Sequence, residues 1–156
     1  MMMPRVRAAL LVAALAVGAS ATAQAQTHAT HFGPRLSYNF DAKAVGVGVQ
    51  LGLPIARQLE FYPSFDIFFP SAGSLLGINA DIKYRVGRAE LSWLYVGTGL
   101  NIARRSIAGR SQSDAGLNLF GGVESLKGRV HPFGEMRFTV GNGSSAQLAG
   151  GLNFTM

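Results

Sequence analysis

The chain contains no cysteine, which removes both a disulfide framework and a lipid-modified N-terminal cysteine from consideration. Only 14% of its residues are charged and 48% are hydrophobic, yet after Val17 no apolar run approaches the ~20 residues a membrane-spanning helix needs. Helical periodicity is missing as well once the first segment is passed. A domain with this much apolar content and no helix must place it on strands.

The first segment is a case apart. "MMMPRVRAALLVAALAVGASATAQAQ" has Arg5 and Arg7, a short apolar run from Ala8 to Val17, and small residues up to Ala23 and Ala25. That is the pattern of a secretory signal peptide over residues 1–25, with cleavage after Ala23 or Ala25 and one mature domain over residues 26–156. The formal net charge is +6, with Arg5 and Arg7 contributing two of it. A basic balance points to a polyanionic partner, and export disfavours nucleic acid; phosphates of lipids or lipopolysaccharide suit that compartment.

The mature chain has a period of two. In "HFGPRLSYNF" Phe32, Leu36, Tyr38 and Phe40 alternate with His31, Gly33, Arg35, Ser37 and Asn39. In "AVGVGVQLGLPI" valine and leucine alternate with Gly46, Gly48, Gln50 and Gly52. "LEFYPSFDIFFP" sets Phe61, Phe65, Ile67 and Phe69 against Glu60, Tyr62, Ser64, Asp66 and Phe68, and "LLGINADIKYRV" sets Ile78, Ile82 and Tyr84 against Gly77, Asn79, Asp81, Lys83 and Arg85. "WLYVGTGLNIA", "DAGLNLFGGVE", "VHPFGEMRFTV" and "AQLAGGLNFTM" continue the alternation, with Phe133 on the polar side beside His131, Glu135 and Arg137. Eight half-apolar segments of about ten residues predict an all-β, eight-stranded antiparallel up-and-down barrel, an even number being compatible with closure.

Alternation alone permits either polarity. A soluble secreted ligand-binding barrel turns its apolar face inward; a transmembrane barrel turns it to lipid. The polar face here carries Gly46, Gly48, Gly52, Gly77, Gly97, Gly99, Gly116 and Gly122, where a solvated strand would use Thr, Lys or Glu. A narrow eight-stranded interior requires small residues opposite large ones, so the polar face is expected inside. Of the eight acidic residues, Glu60, Asp66, Asp81, Asp114, Glu124 and Glu135 lie on that face, among Arg35, Lys83, Arg85 and Arg137. Buried charge is tolerable when it is paired in this way. The apolar parity of the eight segments has no charged residue, and carries aromatics near segment ends, Phe32, Tyr38, Phe40, Phe61, Phe69, Tyr84, Phe138 and Phe154, as interfacial girdles do.

The C-terminal "GGLNFTM", with Gly151, Phe154 and Met156, resembles the terminal signal by which outer-membrane proteins are recognised for insertion, although an aromatic residue is usual where Met156 stands. "LYVGTGLNI" and "HPFGEMRF" likewise resemble strands of the small eight-stranded outer-membrane β-barrel families, the OmpX, OmpW and OmpA transmembrane-domain group. The resemblance implies a monomeric barrel in the outer membrane of a diderm bacterium, both termini in the periplasm, assembled with periplasmic chaperones and the barrel-assembly machinery. On that topology residues 56–58, 87–91 and 125–129 are periplasmic turns, and 41–43, 71–74, 104–113 and 141–145 are outer loops. Only 104–113 is long enough to project. Its Arg104, Arg105 and Arg110 are candidates for contact with lipopolysaccharide phosphates.

A lipid A-modifying enzyme of the deacylase type needs a serine, histidine and carboxylate near the outer rim; His131 precedes Pro132 and Phe133 and falls at the other end, facing inward. His28 and His31 lack a third ligand, so no metal site or cofactor is expected. "GVGVQLG" is followed by no helix and no Lys-Ser/Thr pair, so it is not a phosphate loop. A lumen lined by Arg35, Glu60, Tyr62, Asp66, Asp81, Lys83, Arg85, Glu124, Glu135 and Arg137 is expected to be plugged by its own side chains, which disfavours a narrow-pore channel. The sequence thus points to a non-enzymatic envelope protein. Hairpin registers set by the short turns place Gly48 between Arg35 and Asp66, so Gly46, Gly48 and Gly52 form a low floor under long polar side chains.

Overall fold

A computed structural model describes residues 29–87 and 93–156. The leader, its two cleavage positions, His28 and most of the 87–91 turn lie outside the described residues. Eight strands follow one another: β1 His31–Asn39, β2 Ala44–Ala56, β3 Leu59–Phe69, β4 Ser74–Arg85, β5 Leu94–Ile107, β6 Arg110–Glu124, β7 Val130–Gly141 and β8 Ser145–Thr155. Each pairs antiparallel with its sequence neighbour, and β8 returns to β1, giving a closed up-and-down barrel. Closure pairs every strand on both sides over the body of the barrel. With an even strand count the start of β1 and the end of β8 share one end of the barrel, here the terminal end; the other is the distal end.

The alternation read from the sequence is the alternation of the fold. Strand β1 reads buried and exposed at every other residue, with His31, Arg35, Ser37 and Asn39 inside and Phe32, Leu36 and Tyr38 outside. The outer wall is aliphatic in its middle, where Leu36, Val47, Ile78, Leu100, Leu117 and Leu119 are exposed. Aromatics band its two ends: Tyr38, Phe40, Phe69 and Phe138 distally, Phe32, Tyr84 and Trp93 at the terminal end. Phe32 and Phe154 lie across the β1–β8 seam with ring centroids 6.1 Å apart. The barrel is therefore the inverse of a soluble one, its polar atoms inside and its apolar atoms outside.

The connections are short, as expected, with one correction. Residues 104–113 do not form a loop. They are the end of one long hairpin, β5 and β6 pairing without interruption from Leu94↔Val123 to Ile107↔Arg110. The turn is only Ala108 and Gly109, both with positive φ (48° and 78°), the two-residue geometry whose twist matches a hairpin. This hairpin overtops its neighbour, because β7 pairing begins at Gly116↔Gly141 and residues 110–115 have no partner on that side. The extension also places Arg104 on the outward parity of β5, so the outer wall carries a charge where the shorter strand reading had none.

Candidate functional site

Among the described residues, chemistry-bearing side chains converge in the barrel interior. All ten residues expected in the lumen are buried there. At the terminal end, Lys83 Nζ lies 2.9 Å from Glu60 Oε2 and 3.1 Å from Glu124 Oε2. Arg85 bridges the same two carboxylates, Nε to Glu60 Oε1 and Nη2 to Glu124 Oε2, both at 2.9 Å. Two cations and two carboxylates alternate in a ring, the arrangement that offsets desolvation most fully. His31 Nε2 stands at 3.6 Å from Glu60 and 3.9 Å from Glu124, within ion-pair reach but beyond a hydrogen bond.

A second cluster fills the middle. Glu135 Oε1 accepts from Arg137 Nη2 at 2.9 Å and from Arg35 Nη2 at 3.3 Å, while its Oε2 accepts from the Tyr95 hydroxyl at 3.1 Å. Arg137 Nη1 also reaches Asp81 Oδ2 at 2.6 Å, and Arg35 Nε reaches Asp66 Oδ1 at 3.2 Å. Between the clusters lie the rings of Tyr62, Tyr95 and Phe120. Lys83 Nζ sits 4.3 Å from the Tyr62 centroid and Arg137 Cζ 4.6 Å from that of Phe120, so each cation has a ring face as well as a carboxylate. Together these side chains form a septum across the barrel.

A string of carboxamides joins the layers. Arg35 donates to Gln50, Gln50 to Asn153 and Asn153 to Glu124, at 3.1, 2.6 and 2.7 Å. Distally, Asn118 donates to Asp81 and Asn79, and Asn101 also donates to Asn79. Phe120, Tyr95 and these carboxamides are the interior members that sequence reasoning did not single out. Their strand parity was the only available signal, since the partnerships run across the barrel and not along the chain.

The glycines are where side chains need room. Arg35↔Gly48 and Gly48↔Asp66 are register partners on the two sides of β2, as the hairpin lengths implied. A Cβ on Gly48 would lie 2.6 Å from Asp66 Oδ1, the atom that Arg35 and Ser37 both bond. At Gly97 it would enter the Phe120 ring, at Gly99 the Asp81 carboxylate, at Gly52 the His31 imidazole and at Gly46 the Phe68 ring. Gly151 has the same inward parity on β8, whereas Phe154 faces outward and Met156 follows the strand, exposed.

The three basic residues of the long hairpin do not share a surface. Arg104 faces outward beside Leu76, Arg105 turns inward over the distal mouth, and Arg110 pairs with Ile107 at the hairpin tip. Below Arg105 the distal half of the lumen opens into a cavity of about 250 Å³. Its wall includes Asp41, Asp66, Asn79, Asn101, Asp114 and Gln147. Among the described residues no His, Cys, Asp and Glu cluster could hold a metal ion.

A closed eight-stranded barrel with a charged, filled interior and an apolar exterior is the fold of the small outer-membrane β-barrels. The chain is similar in structure to the N-terminal β-barrel domain of Pseudomonas aeruginosa OprF, at 16% identity over 82% of this chain and 97% of that one, with a TM-score of 0.67. It is similar also to Neisserial surface protein A, at 19% identity over 81% and 94% with a TM-score of 0.58. A de novo designed transmembrane β-barrel matches at 13% identity, 85% and 100% coverage and a TM-score of 0.55. No protein-family model matches the sequence. No curated protein matches it either.

Proposed function

We propose that the protein is a non-enzymatic outer-membrane barrel with a structural or protective role in the bacterial envelope. One observation carries this reading: an interior filled by ion pairs stands behind an exposed apolar wall of the kind a lipid bilayer covers. Four buried cations, Arg35, Lys83, Arg85 and Arg137, face five buried carboxylates, Glu60, Asp66, Asp81, Glu124 and Glu135. An interior so filled supports a role without a wide aqueous channel. His31 lies 3.6 Å from Glu60 and 3.9 Å from Glu124 inside the barrel, and His131 Nε2 meets the Gly128 carbonyl at 3.0 Å.

Arg104 is the residue best placed for lipopolysaccharide, exposed on the outer wall level with Leu76 and Ser113 at the distal rim. There a guanidinium meets phosphate through charge-assisted hydrogen bonds. The reading takes the distal end as the cell-surface end, and Gly151, Phe154 and Met156 as the segment met by the assembly machinery, with periplasmic chaperones holding the chain before insertion.

Fractionation with gel migration tests the proposal. The protein is expected in the outer-membrane fraction, as a monomer whose mobility shifts when it is heated. Recovery in the soluble periplasm without a heat-dependent shift would overturn it. Lipid A mass spectra with and without expression are expected to coincide, and steady ion-selective openings in planar bilayers are not expected.

A further inference from the structure

Pro63 is out of place by the ordinary rules. It stands in the middle of β3, a strand paired on both sides, where a residue without an N–H interrupts a ladder. Pairing of β2 with β3 passes from Gln50↔Ser64 to Leu53↔Phe61 and omits the rung at Pro63. Opposite Pro63 on β4 is Ala80, so two compact side chains lie together on the outward parity. The result is a groove of about 450 Å³ in the outer wall, whose lining includes Phe32, Val49, Leu51, Pro63, Phe65 and Ile78.

Register gives the groove a direction. Ile78, Phe65 and Val49 form its upper lip; Ala80 with Pro63, then Leu51 with Phe32, form its lower one. Along the lower lip Ala80, Pro63 and Leu51 are four or five residues from the terminal ends of their strands and Phe32 is one from its own, so the groove descends to the terminal rim at β1. On β5 the corresponding residues are Leu100 and Ile102, exposed and bulky, which close the upper end. At a strand spacing of about 4.8 Å, the crossing from β4 to β1 is about 14 Å long. A straight hydrocarbon chain is the shape that fills such a slot. In a bilayer the gain is packing and not expulsion of water, because atoms lining a void lose dispersion contacts that a seated chain restores.

Charge at the open end selects the headgroup. The groove reaches the rim beside the β1–β8 seam, where Phe32 lies against Phe154, Phe154 pairs with Val130, and the Thr155 N–H donates to the Arg129 carbonyl at 3.1 Å. Arg129 and Lys127 are exposed in that turn, and neither has an ion-pair partner among the described residues. Glu60 and Glu124, the acidic residues described at this end, are buried and matched inside. Two unpaired cations at the interface favour a phosphate with no compensating ammonium.

We propose that the groove seats one acyl chain of an anionic phospholipid from the leaflet at the terminal end, its phosphate held by Lys127 and Arg129. The proposal rests on the reading of the apolar wall as membrane-facing, and its lipid lies at the opposite rim from the lipopolysaccharide placed against Arg104. The test is native mass spectrometry of the full barrel released from zwitterionic detergent, with phosphatidylglycerol, phosphatidylcholine of the same chains, or lipid A added in increasing amounts. One phosphatidylglycerol per barrel is expected to be retained at saturation, at least fivefold more readily than phosphatidylcholine. Lipid A is expected to add to this complex without displacing it.

Ala80→Phe and Pro63→Leu fill the groove from its two facing strands, the second also giving β3 back an N–H. Each is expected to weaken retention about tenfold, the heat-dependent gel shift reporting that the variant is folded. Lys127→Gln and Arg129→Gln are each expected to weaken phosphatidylglycerol about fivefold and phosphatidylcholine little. The proposal is overturned if retention does not saturate at one lipid, if phosphatidylcholine is held equally, if lipid A displaces the phospholipid, if the folded groove-filling variants retain it as the parent does, or if the parent forms dimers that those variants dissolve. Fractionation reads the two ideas apart: a barrel found in the outer membrane that retains no phospholipid loses the site and keeps its envelope role, whereas recovery in the soluble periplasm removes both.

Discussion

At the terminal end of the lumen, Glu60, Lys83, Arg85 and Glu124 exchange four contacts of 3.1 Å or less, with Tyr62 and Tyr95 stacked directly above the lysine. At the distal end, Asp41, Asp66 and Asp114 share a cavity wall with one arginine, and Gln147 bonds nothing through its Nε2. The same strands build both regions, with the same inward parity. The difference lies in charge: carboxylates and cations are matched at close range at one end, while at the other three carboxylates share an open cavity with one arginine. Close-range charge pairing is concentrated where the lumen is closed.

The largest test of that contrast removes one partner from the closed end. Glu124→Ala strips Lys83, Arg85 and Asn153 of a shared acceptor and is expected to destabilise the barrel by about 3–5 kcal/mol in urea titrations of protein folded into lipid vesicles. Asp114→Ala, in the open end, is expected to stay within about 0.5 kcal/mol of the parent. Equal losses from the two would erase the distinction.

A middle-sized effect is expected at the boundary between the regions. Gly48→Leu drives a Cβ into the Phe65 carbonyl and a side chain between Arg35 and Asp66, and is expected to cost about 1–3 kcal/mol, seen as a lower temperature for the heat-dependent gel shift. Unchanged heat stability would show that the low floor is not needed. The smallest effect belongs to the hairpin tip. Ala108→Asn replaces a non-glycine residue at positive φ by one that tolerates it, and is expected to slow amide exchange over residues 105–112 about fivefold, or about 1 kcal/mol.

The barrel itself was legible because a strand's two faces are written at every second residue, and a narrow interior enforces the rule. Arg35, Gly48 and Asp66 could even be aligned, since two-residue and four-residue turns leave little freedom of register. The long hairpin was not legible. Beyond the apolar belt both parities turn polar, as in Arg104, Arg105, Ser111, Gln112 and Ser113, and alternation fades although pairing continues. Ala108-Gly109 also lacks the Asn-Gly or Asp-Gly signature of a tight turn. Nor could the sequence pair Arg137 with Asp81, or single out Gln147: those relations depend on distances across the lumen, which no local pattern encodes.

The carboxamide string running from Arg35 through Gln50 and Asn153 to Glu124 crosses the seam between the first and last strands. Asn153 arrives only with β8, and until it does Gln50 Nε2 and Glu124 Oε1 each lack the hydrogen bond it makes. A seven-stranded sheet would thus hold exposed, half-satisfied polar groups against lipid. Closure of the seam then supplies both Asn153 bonds together with the β1–β8 ladder in one event, so insertion of this barrel should be cooperative in time, with the final strand acting as the step that commits the whole wall.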